Sequence, residues 1–305
     1  MAEPAEDDTR AVTRLGVLGW PVAHSRSPAM QNAALRKLGL TGWRYQHLPV
    51  PPEAFEETVR ALGAAGFRGA NVTIPHKQAA LAVATGATDA ARTIGAANTL
   101  TVEGDEIHAD NTDAPGFLAA LPEPPQPGST ALVLGAGGSA RAVVHALVSA
   151  GTDVQVWNRT PERASSLVQE LGGRAVAQAR PADLLVNCTA VGLLQPSTDL
   201  EELPVSADSV GTYATVVDLV YRPGGSALIG AAASAGCRTV DGLEVLVRQG
   251  ALSLEAWTGL PAPVHVMREA ALGGPPTPPH EPPRPSASAT RQRDARPSDG
   301  GGARA

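Results

Sequence analysis

Aromatic residues are scarce in this chain of 305 residues, making up only 3% of it. There are only two cysteines, Cys188 and Cys237, too few for a disulfide framework and without the paired spacing of a zinc site. Free, buried thiols in a reducing compartment are the expectation. Positive charge is not in excess: the formal net charge is −6, which argues against a protein that binds nucleic acid through its electrostatic field. Met1 to Arg10 is acidic and polar and holds no apolar signal core. The longest apolar stretch carries Arg141 and His145, so it reads as a helix of a soluble protein rather than a membrane span. No internal repeat is visible, and the Asp, His and Cys residues show no metal-ligand spacing. A cytoplasmic protein is expected. What remains is a chain 43% hydrophobic and rich in Gly and Ala, long enough for two domains of mixed α/β type.

The most informative segment is Thr130 to Thr160. A short apolar run, Ala131 to Leu134, reads as a buried strand and leads into Gly135-Ala136-Gly137-Gly138-Ser139-Ala140. That G-x-G-x-x-A pattern opens a helix with Ala142, Val143, Ala146 and Leu147 on one face, ended by Gly151, and Val154 to Trp157 starts a second strand. Strand, glycine turn and helix in this order form a dinucleotide fingerprint, with pyrophosphate expected at the helix N-terminus. The second strand ends in Asn158-Arg159-Thr160, where an NAD site would have Asp or Glu. A guanidinium cannot accept from a ribose hydroxyl but pairs well with a phosphate, so the cofactor is read as NADP.

Ahead of this segment, residues 1–12 read as a disordered leader and Leu15 to Gly19 as a strand. The strand runs into a loop holding Ser25, with Ser27 as N-cap and Pro28 at the first position of a helix that stops at Gly39. Trp43 to Pro49 is a strand; Pro52 opens a helix with Phe55, Val59 and Leu62 inward. Gly69 to Lys77 is a strand feeding a loop and a helix, and Lys77 falls in the first turn, where the helix dipole disfavours a cation. A hairpin turns at Glu103-Gly104-Asp105, and Gly116 to Leu121 is helical. After Thr160 come a helix from Pro161, strands over 183–187, 215–221 and 238–241, a helix over 242–257 and a last helix over 263–272. Strand ends carrying Asn187, Thr189, Asp218 and Tyr221 point to the carboxyl edge of one parallel sheet. From 273 onward the chain is rich in Pro, Ser, Gly and Arg and is expected to be disordered.

Nine ordered segments, Gly19 to Asn32, Asn71 to Lys77, Gly95 to Leu100, Asn111 to Gly116, Gly135 to Arg141, Asn158 to Thr160, Asn187 to Leu193, Asp218 to Pro223 and Gly242 to Gly259, resemble the shikimate dehydrogenase family. The resemblance covers nearly all of residues 14–271. It implies two α/β domains flanking a cleft, the second a Rossmann-type parallel sheet, with the C-terminal helices packing back on the first. The implied division is 13–121 plus 242–272 for substrate and 122–241 for NADP. By the same resemblance Ser25 and Ser27 would hold the substrate carboxylate, and Thr73, Asn98, Asp113 and Gln249 its hydroxyls. Lys77 would be the catalytic acid/base with Asp113 beside it, and Tyr221 would lie near the nicotinamide side and also touch the substrate. Gly135 to Ala140 would cradle the pyrophosphate, Asn158, Arg159 and Thr160 the 2′-phosphate, with Thr189 and Gly242 also on the cofactor side.

The implied reaction is NADPH-dependent, reversible reduction of 3-dehydroshikimate to shikimate by a monomer or homodimer, with no nucleic-acid or membrane partner. An ammonium against the keto oxygen suits it, since it can stabilise a developing alkoxide and then donate the proton. Alternatives are a quinate/shikimate or aminoshikimate dehydrogenase and, more remotely, a non-catalytic NADP-binding module. Quinate users tend to carry Thr at the position of Ser27 and an acidic residue near Asn158, and this chain has neither. Gln31 stands where the family usually has His, expected to be a packing change; Ala190 replaces a common Ser and Ser226-Ala227 a common Thr-Pro. His24 and His76 read as loop histidines and Cys188 as a core thiol.

Overall fold

The computed structural model describes residues 12–193, 200–222 and 224–273. Apart from the exposed Val12 and Gly273, the expected leader and tail lie outside the described residues. In the first half, strands β1 (Thr13–Gly19), β2 (Trp43–Pro49), β3 (Phe67–Val72), β4 (Gly86–Ala87), β5 (Thr99–Glu103) and β6 (Glu106–Asp110) form a sheet in the order β2-β1-β3-β5-β6-β4. The β1, β2 and β3 pairings are parallel, joined through helices α1 (Ser27–Lys37) and α2 (Phe55–Arg60), and β3-β5-β6 is antiparallel. Gly104, at φ 63°, supplies the left-handed residue that the tight β5–β6 turn requires.

In the second half, β7 (Thr130–Leu134), β8 (Asp153–Trp157), β9 (Arg174–Ala175), β10 (Leu184–Asn187), β11 (Thr215–Asp218) and β12 (Arg238–Val240) form an all-parallel sheet ordered β12-β11-β10-β7-β8-β9. Read from β9, this is the doubly wound order in which the winding reverses between β7 and β10, and ligands bind at that switch point. Helix α6 (Gly138–Ser149) leaves β7 through the glycine turn, and α7 (Pro161–Leu171) leaves β8 with Pro161 in its first turn. The two sheets thus give the α/β architecture that the sequence implied.

Helices α9 (Gly242–Thr258) and α10 (Val264–Gly273) return the chain to the first sheet. Val247, Ala251, Leu254, Trp257 and Met267 share one core with Leu15, Val17, Met30 and Tyr45. Each fully buried side chain of this size contributes about 1.5–3 kcal/mol of hydrophobic stabilisation. Helix α5 (Asp113–Ala120) crosses α9 so closely that a Cβ on Gly116 would lie 2.6 Å from Gln249 Cβ. Among the described residues no helix is long and apolar enough to cross a membrane.

Several local expectations need correction. Ser27 is not the N-cap of α1: Arg26 holds that position, without a side-chain cap, and Ser27 is the first helical residue. Its amide and hydroxyl instead meet Ser25 Oγ, at 3.2 and 3.1 Å. The strand expected over 215–221 stops at Asp218, because its neighbour β10 stops at Asn187 and Asp218 Oδ1 turns back to accept from Asn187 Nδ2 and the Val220 amide. Asp241 is not in β12 but caps α9, its Oδ1 accepting from the amides of Leu243 and Glu244. The helix expected from Gly116 begins three residues earlier, at Asp113. From Pro52 the chain makes a 3-10 turn before α2, so Leu62 lies past that helix although it stays buried. Helices α4 (Asp89–Ile94) and α8 (Ala227–Ser234) and the two-residue edge strands β4 and β9 were not anticipated.

Candidate active site

Four segments from the first sheet converge on one cleft. The loop after β1 brings Ser25 and Ser27, and the end of β3 brings Asn71 and Thr73. Lys77 opens α3 (Lys77–Val83), and Asn98 and Asp113 flank the β5–β6 hairpin. From the other side come Ser139 at the start of α6, Thr189 and Tyr221 beyond the ends of β10 and β11, and Gly242 and Gln249 of α9. Every side chain expected to touch substrate lines this cleft.

Lys77 and Asp113 form its centre. Lys77 Nζ donates to Asp113 Oδ2 at 2.5 Å and to Ser139 Oγ at 2.9 Å. Their side chains are only 10% and 14% exposed, yet both reach the cleft. The carboxylate is held from below: Asn98 Nδ2 donates to Asp113 Oδ1 at 2.8 Å and to Gln249 Oε1 at 2.9 Å. Asn98 Oδ1 accepts from the Thr112 amide at 2.7 Å, which fixes the orientation of that amide group. Asp113 also sits in the first turn of α5, where the helix dipole favours a negative charge. A lysine expected against its local helix preference is thus accounted for by a carboxylate 36 residues away in sequence.

Beneath these groups lies a buried polar layer that sequence reasoning missed. Tyr45 donates to Asn71 Oδ1 at 2.8 Å, and Asn71 Nδ2 donates to Ser253 Oγ at 2.8 Å. Thr99 and Thr112 hydroxyls join the same cluster at 2.8 and 3.1 Å from Ser253 Oγ. The available signal was a polar Asn71 inside a strand buried on both faces. Burial pushes the hydroxyls of Tyr45 and Tyr221 above the usual phenol range, so both remain neutral donors. The Tyr221 hydroxyl accepts from the Arg26 amide at 3.3 Å, tying the β11 exit to the serine loop.

Gln31 is fully buried, and its Nε2 donates to the Gly250 carbonyl at 2.9 Å, joining α1 to α9 as a packing residue. His76 is buried, stacks on Phe55 at 4.3 Å and bonds the Val50 carbonyl, which leaves it structural. His24 stands at the cleft, its pKa held below the ordinary histidine value by partial burial and by His47. Burial and the nearby Asp218 drive the Cys188 thiol far above its usual range, so it is no nucleophile at neutral pH.

The cofactor side fits a dinucleotide phosphate. Gly135 has φ 108°, and a Cβ there would stand 3.2 Å from the Cys188 carbonyl, so the turn from β7 into α6, beside the end of β10, calls for glycine. Gly137 caps α6 without a side-chain bond and faces open space, leaving the amides of Gly138, Ser139 and Ala140 without helical acceptors. The Ala140 side chain is buried in the core, which leaves its amide as the group it can offer a ligand at this turn. A second hollow is lined by Trp157, Asn158, Arg159, Thr189 and Glu202. Arg159 is exposed and, among the described residues, without a polar partner; Asn158 Nδ2 donates one of its two N–H bonds to the Thr160 carbonyl at 2.8 Å. Thr160 does not line that hollow, and Glu202 in it was not foreseen. Among the described residues no cluster of His, Cys, Asp and Glu could hold a metal ion.

Comparison with known proteins agrees with this geometry. Residues 17–100 match the shikimate dehydrogenase substrate binding domain, 124–214 the shikimate/quinate 5-dehydrogenase family and 242–272 the shikimate 5′-dehydrogenase C-terminal domain. A shikimate dehydrogenase (NADP(+)) of Thermus thermophilus is 48% identical over 262 residues, covering 85% of this chain and 97% of that protein. The chain belongs to the shikimate dehydrogenase family. The shikimate dehydrogenase (NADP(+)) of Methanopyrus kandleri is 43% identical, over 85% of this chain and 94% of its own. A crystal structure of shikimate 5-dehydrogenase from Thermus thermophilus in complex with NADP(H) and shikimate superposes with a TM-score of 0.76 at 45% identity, covering 85% of this chain and 98% of that one. The shikimate dehydrogenase of Aquifex aeolicus gives a TM-score of 0.78 at 34% identity, over 85% and 97%.

Proposed function

We propose that this chain catalyses the reversible, NADPH-dependent reduction of 3-dehydroshikimate to shikimate, with Lys77 and Asp113 as its acid–base pair. The observation that carries the reading is the 2.5 Å Lys77–Asp113 contact, in a cleft shared by hydroxyl-rich side chains and the glycine turn of a doubly wound sheet. Bound NADPH would supply the hydride that makes the keto carbon a secondary alcohol. Lys77 Nζ, with one N–H left beyond Asp113 and Ser139, would donate toward the keto oxygen, stabilise the growing negative charge and pass it the proton. Asp113, fixed by Asn98, would keep that N–H aimed at the substrate. In the reverse direction the neutral amine takes the hydroxyl proton.

Ser25 and Ser27 would receive the substrate carboxylate, and Thr73, Asn98, Gln249 and Tyr221 would bound its hydroxylated ring. The amides of residues 138–140 would receive the pyrophosphate, with Asn158, Arg159 and Thr160 at the 2′-phosphate end and Thr189 and Gly242 nearer the nicotinamide. Residues 13–121 with 242–272 then form the substrate-binding unit and 122–241 the cofactor-binding unit. The same reading takes the enzyme to be cytoplasmic, acting as a monomer or homodimer. The test follows reduced-nicotinamide absorbance with purified protein, comparing kcat/KM for shikimate with NADP⁺ and for quinate with NAD⁺. The first pair should win by at least about 100-fold, the scale set by a phosphate-binding arginine and a site built for particular hydroxyls. A win for quinate with NAD⁺ overturns the assignment.

A further inference from the structure

We infer that Ser139 is a positioning residue for Lys77, through which the glycine turn that receives the cofactor also sets the angle of the proton-donating amine. By sequence pattern Ser139 belongs to the pyrophosphate cradle, yet its Oγ accepts a hydrogen bond from Lys77 Nζ at 2.9 Å. Among the described residues it is the only side chain on the doubly wound sheet's helices that bonds the acid–base pair. A second observation, independent of that bond, comes from the neighbouring glycine. A Cβ on Gly138 would lie 2.7 Å from Lys77 Cβ and 3.0 Å from its Cδ, although the backbone there is ordinary helix. The start of α6 is therefore moulded around the lysine stem, and position 138 needs glycine because of Lys77.

The geometry has a chemical consequence. An ammonium has three N–H bonds that rotate together about Cε–Nζ. Asp113 sets that rotation but leaves Nζ able to swing about a single contact; Asp113 and Ser139 together anchor Nζ at two points and so hold the direction of the third N–H. Because Ser139 is the second residue of α6, any ligand that seats against the first turn of α6 holds the rotor in register with itself. Proton and hydride donors are then aligned by a single short segment, and misplacement of either by about 1 Å is enough to cost up to about 100-fold in rate. The hydroxyl keeps its own proton available to donate elsewhere, so holding Lys77 does not bar Ser139 from touching a ligand.

The inference rests on the dehydrogenase reading above. Its test compares Ser139→Ala and Ser139→Thr with wild type, measuring kcat, KM for shikimate, and the NADPH dissociation constant by nucleotide fluorescence. Ser139→Ala is expected to lower kcat about 10-fold, as for a lost hydrogen bond to a charged group. KM for shikimate and Kd for NADPH should stay within about 2-fold, and Ser139→Thr, which keeps the hydroxyl, should restore kcat to within about 3-fold. Unchanged kcat in Ser139→Ala overturns the inference. So does a loss of rate that saturating NADP⁺ abolishes, which would make Ser139 a cofactor ligand only, and so does a Thr variant as slow as the Ala one. A wild-type enzyme inactive on shikimate with NADP⁺ would overturn the dehydrogenase reading and this inference with it, whereas an active wild type with a silent Ser139→Ala rejects this inference alone.

Discussion

Replacing Lys77 by Met separates the chemistry of the amine from the packing of its stem. The thioether chain keeps the contact with Gly138 and the core face of α3 while removing the donor that lies 2.5 Å from Asp113 and 2.9 Å from Ser139. Loss of one partner from a fully enclosed ion pair costs about 3–5 kcal/mol. Here the orphaned carboxylate retains the Asn98 donor at 2.8 Å, the favourable end of α5 and contact with the cleft. The expected destabilisation is therefore only about 1–3 kcal/mol, since a dipole at a partly enclosed site returns up to about 2 kcal/mol. For a protein of this size that lowers the melting temperature by roughly 2–12 °C. The variant should fold and bind NADPH with near wild-type affinity, because the free amides at the start of α6 and the hollow at Arg159 are left in place. Turnover should fall by about 10²–10⁴-fold, the contribution of a positioned general acid–base. Initial rates with shikimate and NADP⁺, a fluorescence titration with NADPH and a thermal melt on the same preparation check all three. Turnover within ten-fold of wild type, with the protein folded, would refute the role given to Lys77.

Arg159→Ala should raise KM for NADP⁺ by about 10–100-fold and leave KM for NAD⁺ nearly unchanged, since the lost guanidinium would pair only with the extra phosphate; equal effects on both cofactors would count against that contact. Gly116→Ala places a methyl 2.6 Å from Gln249 Cβ and 2.7 Å from its backbone, so α5 and α9 must separate. It should cost about 1–3 kcal/mol in chemical denaturation, together with a drop in kcat because Gln249 anchors Asn98, and a wild-type midpoint would contradict the packing. Glu244 accepts from Arg268 and Arg248, and these contacts hold its pKa below the ordinary Glu value. A depressed folded pKa means that its stabilising effect is present above the unfolded value and is lost as pH falls through the folded one. Glu244→Gln should therefore melt lower than wild type at neutral pH, with the gap narrowing on acidification; a constant gap would argue that the charge is irrelevant.

Some of the site was legible in the chain and some was not, for definite reasons. Lys77 attracted notice because a cation in the first turn of a helix opposes the local field, and that conflict survives in any structure containing the helix. The glycine turn and the missing carboxylate after β8 were likewise local, since φ at Gly135 and the character of Arg159 need no distant partner to be interpreted. Ser253 gave no such signal. A serine on an amphipathic helix looks the same whether it faces water or, as here, the buried Asn71 amide and Thr99 hydroxyl of the first sheet. Ser27 shows the opposite error: a sound local preference for the cap position yielded to Ser25, whose hydroxyl reaches its amide first.

The amino-acid sequence by itself determined the doubly wound half, the cofactor class and which residue types were available for catalysis, because each depends on patterns within some thirty neighbouring residues. Only the tertiary structure decided that Lys77, Asp113, Asn98, Gln249 and Ser139 share one hydrogen-bonded chain. Those contacts span up to 151 residues. They exist because α9 returns across the first sheet and α6 presses its glycine start against the lysine stem, and side-chain periodicity carries no information about which distant helix will close a gap.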